Sequence, residues 1–310
     1  MKKIQYSRYG GLEELRLDEV EKPEPEKGQV RVRVKAASFN PMDGKIRCGE
    51  MKMLSGFRFP RGLGHDFAGV VDSVGPGVSA FKPGDEVIGV TSIPKASAMA
   101  DYVIADAKNI GIKPAGVPFA ESAALTIVGL TAWNALIEKG RLRAGQTVFV
   151  NGCFGAVGRS AVQIATMCGA SVVGTCSATD FEAARALGVN EAVDYRTLNV
   201  QAFARRFDLV FDTVGILSLR QCRVMLKPSG MSLHIVPNFA KWAGSLFSSH
   251  HHLVFGNPTP ESFAGITDAA ERGIIVPAIG RVVGLSEAIP AITERENTGS
   301  PKGKLVVIPG

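Results

Sequence analysis

At 310 residues the chain is long enough for two domains, and 45% apolar residues with 35 glycines fit a well-buried α/β protein and exclude disordered and collagen-like classes. The net charge of +6 comes from basic residues scattered among acids, so a nucleic-acid partner gains little support over a solvated surface. The five cysteines (48, 153, 168, 176 and 222) form no C-x-x-C pair, which predicts free thiols in a reducing, cytoplasmic setting.

The opening Met1-Lys2-Lys3-Ile4-Gln5-Tyr6 lacks the apolar core of a signal peptide and reads as a strand. No run of about 20 apolar residues is present to predict a membrane span. Residues 1 to about 115 hold short β-like runs broken by Gly and Pro. Val30 to Val34 alternates with period two, which predicts one buried face. Further strands are expected at Gly69 to Gly75 and Asp85 to Val90, beside the turns Pro76-Gly77 and Pro83-Gly84. This density predicts a compact β barrel with little helix before Ala120. Pro118 to Glu138 then reads as helix. After residue 177, helix and strand alternate: helix from Phe181 to Leu187, strand Glu191 to Asp194, strand Phe207 to Asp212, helix Leu217 to Met225 and strand Ser232 to Val236. A helix from Pro260 to Arg272 and a strand from Lys304 to Ile308 close the chain. Alternation of this kind predicts a doubly wound parallel sheet, with ligands beyond the carboxyl ends of its strands. That rule nominates Val214, Gly215, Val236 and Pro237 as cofactor neighbours.

The stretch Thr147 to Ser177 organises the rest. An apolar run meets the turn Gly152-Cys153-Phe154-Gly155-Ala156-Val157-Gly158, then a helix-periodic segment, then Val172-Val173. Strand, glycine turn, helix and strand in that order form a dinucleotide-binding unit. Gly155 lets backbone N–H groups approach a pyrophosphate, the helix opening near Ala156 aims its positive end at the same anion, and Gly158 brings helix and strand close. The pattern is irregular: Cys153 replaces the first glycine of G-x-G-x-x-G, and Gly152 stands one place earlier. Where an acid would bind the ribose of NAD the chain has Ser177, which leaves room for a 2′-phosphate and favours NADP. Arg185, Tyr195 and Arg196 are candidates to complete that pocket, while Asp180 reads as the cap of the helix from Phe181.

Several segments together resemble one family, the zinc-independent quinone oxidoreductases of the medium-chain dehydrogenase/reductase superfamily, which is alcohol dehydrogenase-like. They are Ala37-Ser38-Phe39-Asn40-Pro41-Met42-Asp43 with Ile46-Arg47, Gly64-His65-Asp66-Phe67-Ala68-Gly69-Val70-Val71, Gly75-Pro76-Gly77-Val78, Phe81-Lys82-Pro83-Gly84-Asp85-Glu86-Val87 and Gly129-Leu130-Thr131-Ala132. The glycine turn, Ala186-Leu187-Gly188, Asp194-Tyr195 and Gly303-Lys304-Leu305-Val306 complete the set. The resemblance implies a GroES-like catalytic domain over residues 1–117, a Rossmann domain over 118–256, and a segment 257–310 returning to the first, with the active site between the two domains. It implies hydride transfer from NADPH to a quinone or enone, a small-molecule partner and a homodimer. It also adds Thr131 to the cofactor-binding residues.

Zinc enzymes of the same superfamily place Cys, His and Cys around the metal. Here His65 matches the His, Asn40 stands at the first Cys, and no cysteine occurs between 49 and 152, so zinc lacks its ligands. His65 then reads as a structural residue bonded within the barrel. In His250-His251-His252 only the first and third could share a ligand, and an exposed turn or interface segment is the expected reading. Without a metal, charge growing on the substrate oxygen needs a fixed donor. Asn40 is the first candidate, to orient the nicotinamide ribose or the substrate oxygen, against the alternative of a turn residue ahead of Pro41. Lys45 is the second, against that of a solvated charge. Gly44 stands where many relatives carry an aromatic residue, which puts a tyrosine proton donor in doubt, leaves the proton to water and predicts a wider or differently shaped pocket. The rival functions are a reductase of a dedicated pathway metabolite and a catalytically weak NADPH-binding sensor, as with relatives that serve as lens proteins or RNA binders.

Overall fold

The computed structural model describes residues 1–237, 239–299 and 302–310. The chain begins with β1 (Lys2–Tyr6), β2 (Arg16–Glu19), β3 (Gln29–Phe39), α1 (Pro41–Arg47), α2 (Lys52–Ser55), β4 (Arg61–Gly62), β5 (Asp66–Val74), β6 (Glu86–Val90), β7 (Tyr102–Asp106) and β8 (Ile110–Ile112). It continues through α3 (Phe119–Trp133), β9 (Thr147–Asn151), α4 (Ala156–Met167), β10 (Ser171–Cys176), α5 (Phe181–Leu187), β11 (Glu191–Asp194), β12 (Phe207–Asp212), α6 (Leu219–Met225) and β13 (Leu226–His234). It ends with α7 (Phe239–Phe247), β14 (His251–Leu253), α8 (Pro260–Glu271), β15 (Ile279–Gly284), α9 (Ala288–Thr298) and β16 (Lys304–Ile308).

Two compact units result. The first is Met1–Ile127, Pro258–Glu271 and Val276–Gly310; the second is Val128–Asn257 with Arg272–Ile275. Among the described residues the first unit holds a three-stranded sheet, β2-β1-β4, and a seven-stranded sheet, β15-β16-β3-β5-β6-β8 with β7 on β3. The alternation of β3 buries Val30, Val32 and Val34, as its period predicts. Arg31, expected on the wet face, is buried too, because Asp72 accepts from its Nε at 2.6 Å and Pro23 O from its Nη1 at 2.9 Å. Two short helices interrupt the β-rich stretch. Pro41, read as a turn, is the first residue of α1, where a missing N–H costs nothing, and Asp43 accepts the backbone N–H of Asn40 at 2.7 Å in the manner of a capping box. Strand β15 and helix α9 carry no signal in the sequence reading. Strand β15 pairs in parallel with β16, and α9 buries Ala288, Ala291 and Ile292 against the core that also contains Leu305 and Val307.

In the second unit every pairing is parallel, in the order β11-β10-β9-β12-β13-β14. The order reverses between β9 and β12, which makes that point of the sheet the crevice for a ligand. Strands β9 and β12 are buried over nearly their whole length, as parallel strands covered on both faces must be. Under them Phe149, Phe203 and Phe207 pack with ring centroids 5.1 to 6.0 Å apart. The histidine run is no exposed turn: His251 begins β14 and pairs with Ser232, and its ring is buried. Helix α3 and the π-helical turn after it, Phe119–Lys139, are long and apolar enough to cross a membrane, against the expectation that no such run exists, but 67% of the apolar window is buried inside the protein.

Gly158 serves packing, though against the turn and not the strand. A Cβ there would stand 2.1 Å from Gly152 O and 2.9 Å from Cys153 Cα. Gly158→Ala therefore has to push the turn outward, and overpacking of this kind costs about 1–3 kcal/mol. Urea denaturation of the variant checks it; a midpoint equal to that of the unsubstituted protein contradicts the close approach.

Candidate active site

In the first unit the strand ends assemble a buried polar cluster. Antiparallel pairing of β3 with β16 sets Leu305 opposite Phe39, and pairing with β5 sets Ser38 opposite Asp66. The same registers bring Asn40, Asp66 and Lys304 together, with 7%, 0% and 3% of their surfaces exposed. Asn40 Nδ2 donates to Asp66 Oδ1 at 2.7 Å, and Lys304 Nζ donates to Asn40 Oδ1 at 2.5 Å. Lys304 Nζ also lies 3.5 Å from Asp66 Oδ2, which accepts from Ser38 Oγ at 2.8 Å. Burial pushes the Asp66 carboxyl above its ordinary pKa, and the neighbouring Lys304 opposes that shift. Beside this group Asp43 Oδ1 accepts from His65 Nδ1 at 2.6 Å, while His65 Nε2 is buried and has no hydrogen-bond partner among the described residues.

The other first-unit candidates stand apart. Lys45 is exposed on α1, and among the described residues its side chain makes no hydrogen bond or ion pair. Gly44 does not open a pocket, contrary to the expectation: a Cβ there would meet Glu296 Oε1 at 2.4 Å. That carboxylate is held by the buried Arg47, whose Nη2 donates to Glu296 Oε2 at 2.5 Å.

In the second unit the nominated residues gather at the carboxyl ends of the strands. Gly152 takes φ +79°, and a Cβ on it would collide with Val214 Cγ2 at 2.5 Å. One on Gly215 (φ +93°) would collide with Val236 Cβ at 2.6 Å. Gly152 thus lies against Val214 and Gly215 against Val236, while Pro237 lies exposed just beyond and Thr131 buried on α3. Cys153, in place of the motif's first glycine, is fully buried, and its Sγ fills the space a Cβ on Gly174 would need. Gly155 is the N-cap of α4; a Cβ there would touch only Gly152 O, at 3.4 Å, so the helix start stays open. Ala156 and Val157, half-buried, form its first turn. Arg159, missed in the sequence, stacks its guanidinium 4.6 Å over the Phe154 ring beside this start. Open N–H groups, a helix dipole and a nearby cation fit the pyrophosphate of a dinucleotide.

A carboxylate the sequence reading left unused holds this face together. Asp212, at the end of β12, accepts from Asn151 Nδ2 at 2.8 Å, Gly215 N at 2.9 Å, Leu217 N at 3.2 Å and Lys241 Nζ at 2.8 Å. Lys241 also donates to Gly215 O at 2.8 Å. Asn151 Oδ1 accepts from Thr175 Oγ1 at 2.7 Å, which in turn accepts from Gly152 N at 2.8 Å. Burial would raise the Asp212 carboxyl, but the nearby His234 ring and hydrogen bonds from Lys241, Asn151 and Gly215 N hold it far below the usual range. An ionisable residue ending an otherwise apolar strand was the available signal.

At the end of β10, Ser177 Oγ and Thr179 Oγ1 are 2.9 Å apart. Asp194 accepts from the backbone of Ala178 and from Arg196 Nη2 at 2.6 Å, which together hold its carboxyl at about 2, the arginine being the larger influence. Tyr195 is exposed under the Arg196 guanidinium at 5.7 Å. The structure therefore joins Ser177, Tyr195 and Arg196, with Arg196 engaged by Asp194. Arg185 lies exposed on α5. Asp180 is the N-cap residue of that helix but makes no side-chain capping bond.

Residues 26–130 match the alcohol dehydrogenase GroES-like domain, and residues 187–307 match a zinc-binding dehydrogenase domain. The chain is 30% identical, over all of its length and 98% of the relative's, to a chloroplast envelope quinone oxidoreductase homolog of Arabidopsis thaliana. It is 36% identical over 70% of its length to an NADPH-dependent alkenal/one oxidoreductase of the same plant, spanning 58% of that protein. A solved quinone oxidoreductase from Coxiella burnetii superposes with a TM-score of 0.87 at 30% identity, each chain covered to 99%. The fold is thus α/β, a GroES-like domain with a Rossmann sheet. Both plant relatives are named for the chloroplast, so the cytoplasmic setting read from the thiols has no support from them.

The zinc in the second family description does not fit this chain. Asn40 has both ends of its amide engaged, and Asp43 fixes His65 through Nδ1. Among the described residues no three His, Cys, Asp or Glu side chains group as ligands. In the histidine run, Gly230 O accepts from His250 Nδ1 at 2.8 Å, Ser249 O from His252 Nε2 at 3.0 Å, and Ser232 Oγ bonds His251 Nδ1 at 2.7 Å.

Burial, and then neighbouring positive charge led by His234, pushes His251 down to about 4. Between pH 4 and the ordinary imidazole value near 6.5 the unfolded chain binds more protons than the folded one, so stability is lost as pH falls through that window. His252, lowered mainly by burial, adds to the same trend. His251→Gln keeps a partner for Ser232 and is expected to flatten the loss. Urea midpoints at pH 7 and pH 4.5 measure it, and equal drops in both proteins contradict the assignment.

Proposed function

The chain belongs to the quinone oxidoreductase family of the medium-chain dehydrogenase/reductase superfamily, and from that membership we propose that it reduces quinones or α,β-unsaturated carbonyl compounds with NADPH, without a metal. The observation that carries the reading is a nucleotide turn of the right form in a chain whose metal-ligand positions hold an engaged amide and a lone imidazole. When bound, NADPH supplies the hydride at the nicotinamide C4. The chain's residues bind and orient. The open start of α4 with Arg159 takes the pyrophosphate, and Ser177, Tyr195 and Arg196 take the 2′-phosphate once Arg196 exchanges Asp194 for it. Asn40 orients the nicotinamide ribose or donates to the acceptor oxygen on which charge grows. The proton that completes reduction comes from water.

The chemistry of the acceptor supports this class. Charge arriving at a quinone or enone spreads over a conjugated system, so a neutral N–H suffices to steady it. A saturated aldehyde would concentrate the charge on one alkoxide oxygen, which calls for a stronger partner such as a Lewis acid or a positioned proton donor.

Two measurements test the reading. Loss of reduced-nicotinamide absorbance with NADPH is expected for a simple quinone or a short enone, insensitive to a chelator, and absent with a saturated aldehyde. Chelator-sensitive aldehyde reduction would overturn it, and silence on every acceptor despite tight NADPH binding favours a dedicated metabolite or a sensor. NADPH should also raise the thermal midpoint more than NADH at equal concentration, since a ligand stabilises by mass action according to its affinity. Equal shifts would remove the assignment of Ser177 and Arg196.

A further inference from the structure

We propose that Lys304, on the closing strand β16, is a positioning residue for Asn40. The inference rests on the reading of Asn40 as the residue that meets the ribose or the acceptor oxygen. A side-chain amide has two orientations that exchange its oxygen and nitrogen, and an unguided Asn samples both. Here the choice is made by charge. The Lys304 ammonium donates to Oδ1 at 2.5 Å, and the Asp66 carboxylate accepts from Nδ2 at 2.7 Å. Turning the amide over would set N–H against ammonium and carbonyl against carboxylate, losing two charge-assisted bonds in a dry site.

The fixed orientation leaves something over. One Nδ2 hydrogen serves Asp66; among the described residues the other protein acceptor near that nitrogen is Ser38 O, at 3.5 Å. A bond of that length is weak, so a second N–H remains for an incoming oxygen. The residue itself is 7% exposed, so the donor sits in a dry setting and not at the surface. Preorganisation of this kind is what makes a neutral donor useful to a growing negative charge.

Register explains how a residue 264 positions away does this. Val307 pairs with Ala37, Val306 with Ser38 and Leu305 with Phe39, and the next step along that register brings Lys304 across from Asn40. Asp66 enters from the other side of β3, through its pairing with Ser38. Strand β3 lies between its two neighbours, and the cation and the anion reach Asn40 from opposite edges.

The test is a double-mutant cycle on kcat with the acceptor the enzyme turns over best, NADPH as donor, using Asn40→Ala, Lys304→Met and both together. Each single change is expected to lower kcat on the order of tenfold to a hundredfold, the effect of losing or misaligning one fixed donor. The double variant should be no slower than Asn40→Ala within about twofold, since both changes remove the same interaction. KM for NADPH should stay close to its unsubstituted value. If Asn40→Ala turns over at the unsubstituted rate, the reading of Asn40 fails and the inference with it. If Asn40→Ala is slow but Lys304→Met is not, or if the two losses multiply, the inference alone fails. Should Lys304→Met not fold, the same cycle is run with Lys304→Met in an Asp66→Asn background, where no buried carboxylate is left without its cation, and the same outcomes decide it.

Discussion

Two buried lysine–aspartate pairs, one in each unit, set the terms for the parts of this protein that carry chemistry. A charge withdrawn from water costs several kcal/mol unless an opposite charge and hydrogen bonds replace its hydration. Lys241 with Asp212 and Lys304 with Asp66 meet that condition at strand ends. Neither pair is placed for strength, because a well-packed apolar replacement would serve stability as well or better. What each pair secures is geometry. Asp212 draws Asn151, Gly215 and Leu217 into one arrangement, and Asp66 with Lys304 does the same for Asn40.

The second unit shows how a departure from a motif is absorbed. The usual first glycine of a dinucleotide turn is Cys153 here, and the side chain so introduced needs room. It finds it over Gly174 on β10, where any Cβ would stand 2.7 Å from the sulfur. The positive φ passes to Gly152, one place earlier, and the close approach of helix to turn stays with Gly158. An irregular spelling thus yields a regular turn because two glycines elsewhere take over what the motif glycine would have done.

Legibility in the sequence followed the same physics. The strands Phe207–Asp212 and Lys304–Ile308 were readable to the residue because burial leaves a dense apolar record. Glu191–Asp194, half-buried throughout, was readable from its place between the helix ending at Leu187 and the next strand. Strand β14 was not, since His251 and His252 satisfy their polar atoms locally and leave no apolar pattern. Helix α1 was hidden because Pro at a first helical position spells like a turn. In the site, the glycine turn was visible from local order, and Asn40 only through the resemblance to the family. Lys304, Asp66, Asp212 and Lys241 were not, because their partners lie on neighbouring strands or on a following helix, and nothing in the local spelling of Lys304-Leu305-Val306 names a residue 264 positions earlier.

The charges around Asn40 bear on the kind of acceptor the site suits. Asp66 is matched by Lys304, and Asp43 accepts hydrogen bonds from His65 Nδ1 and from the backbone N–H of Asn40. Since its cation is already committed, the cluster has no free positive charge to offer an oxyanion. What it has is a neutral amide whose direction is fixed by its neighbours. A fixed dipole stabilises a growing charge without reorganising, but it is a weaker electrostatic partner than a metal ion or an unpaired lysine. Such a donor is adequate where conjugation carries most of the incoming charge and inadequate where a single oxygen must hold all of it. On the proposed reading, an amide at position 40, where zinc enzymes of the superfamily carry a thiolate, suits conjugated acceptors by what it leaves out as much as by what it adds.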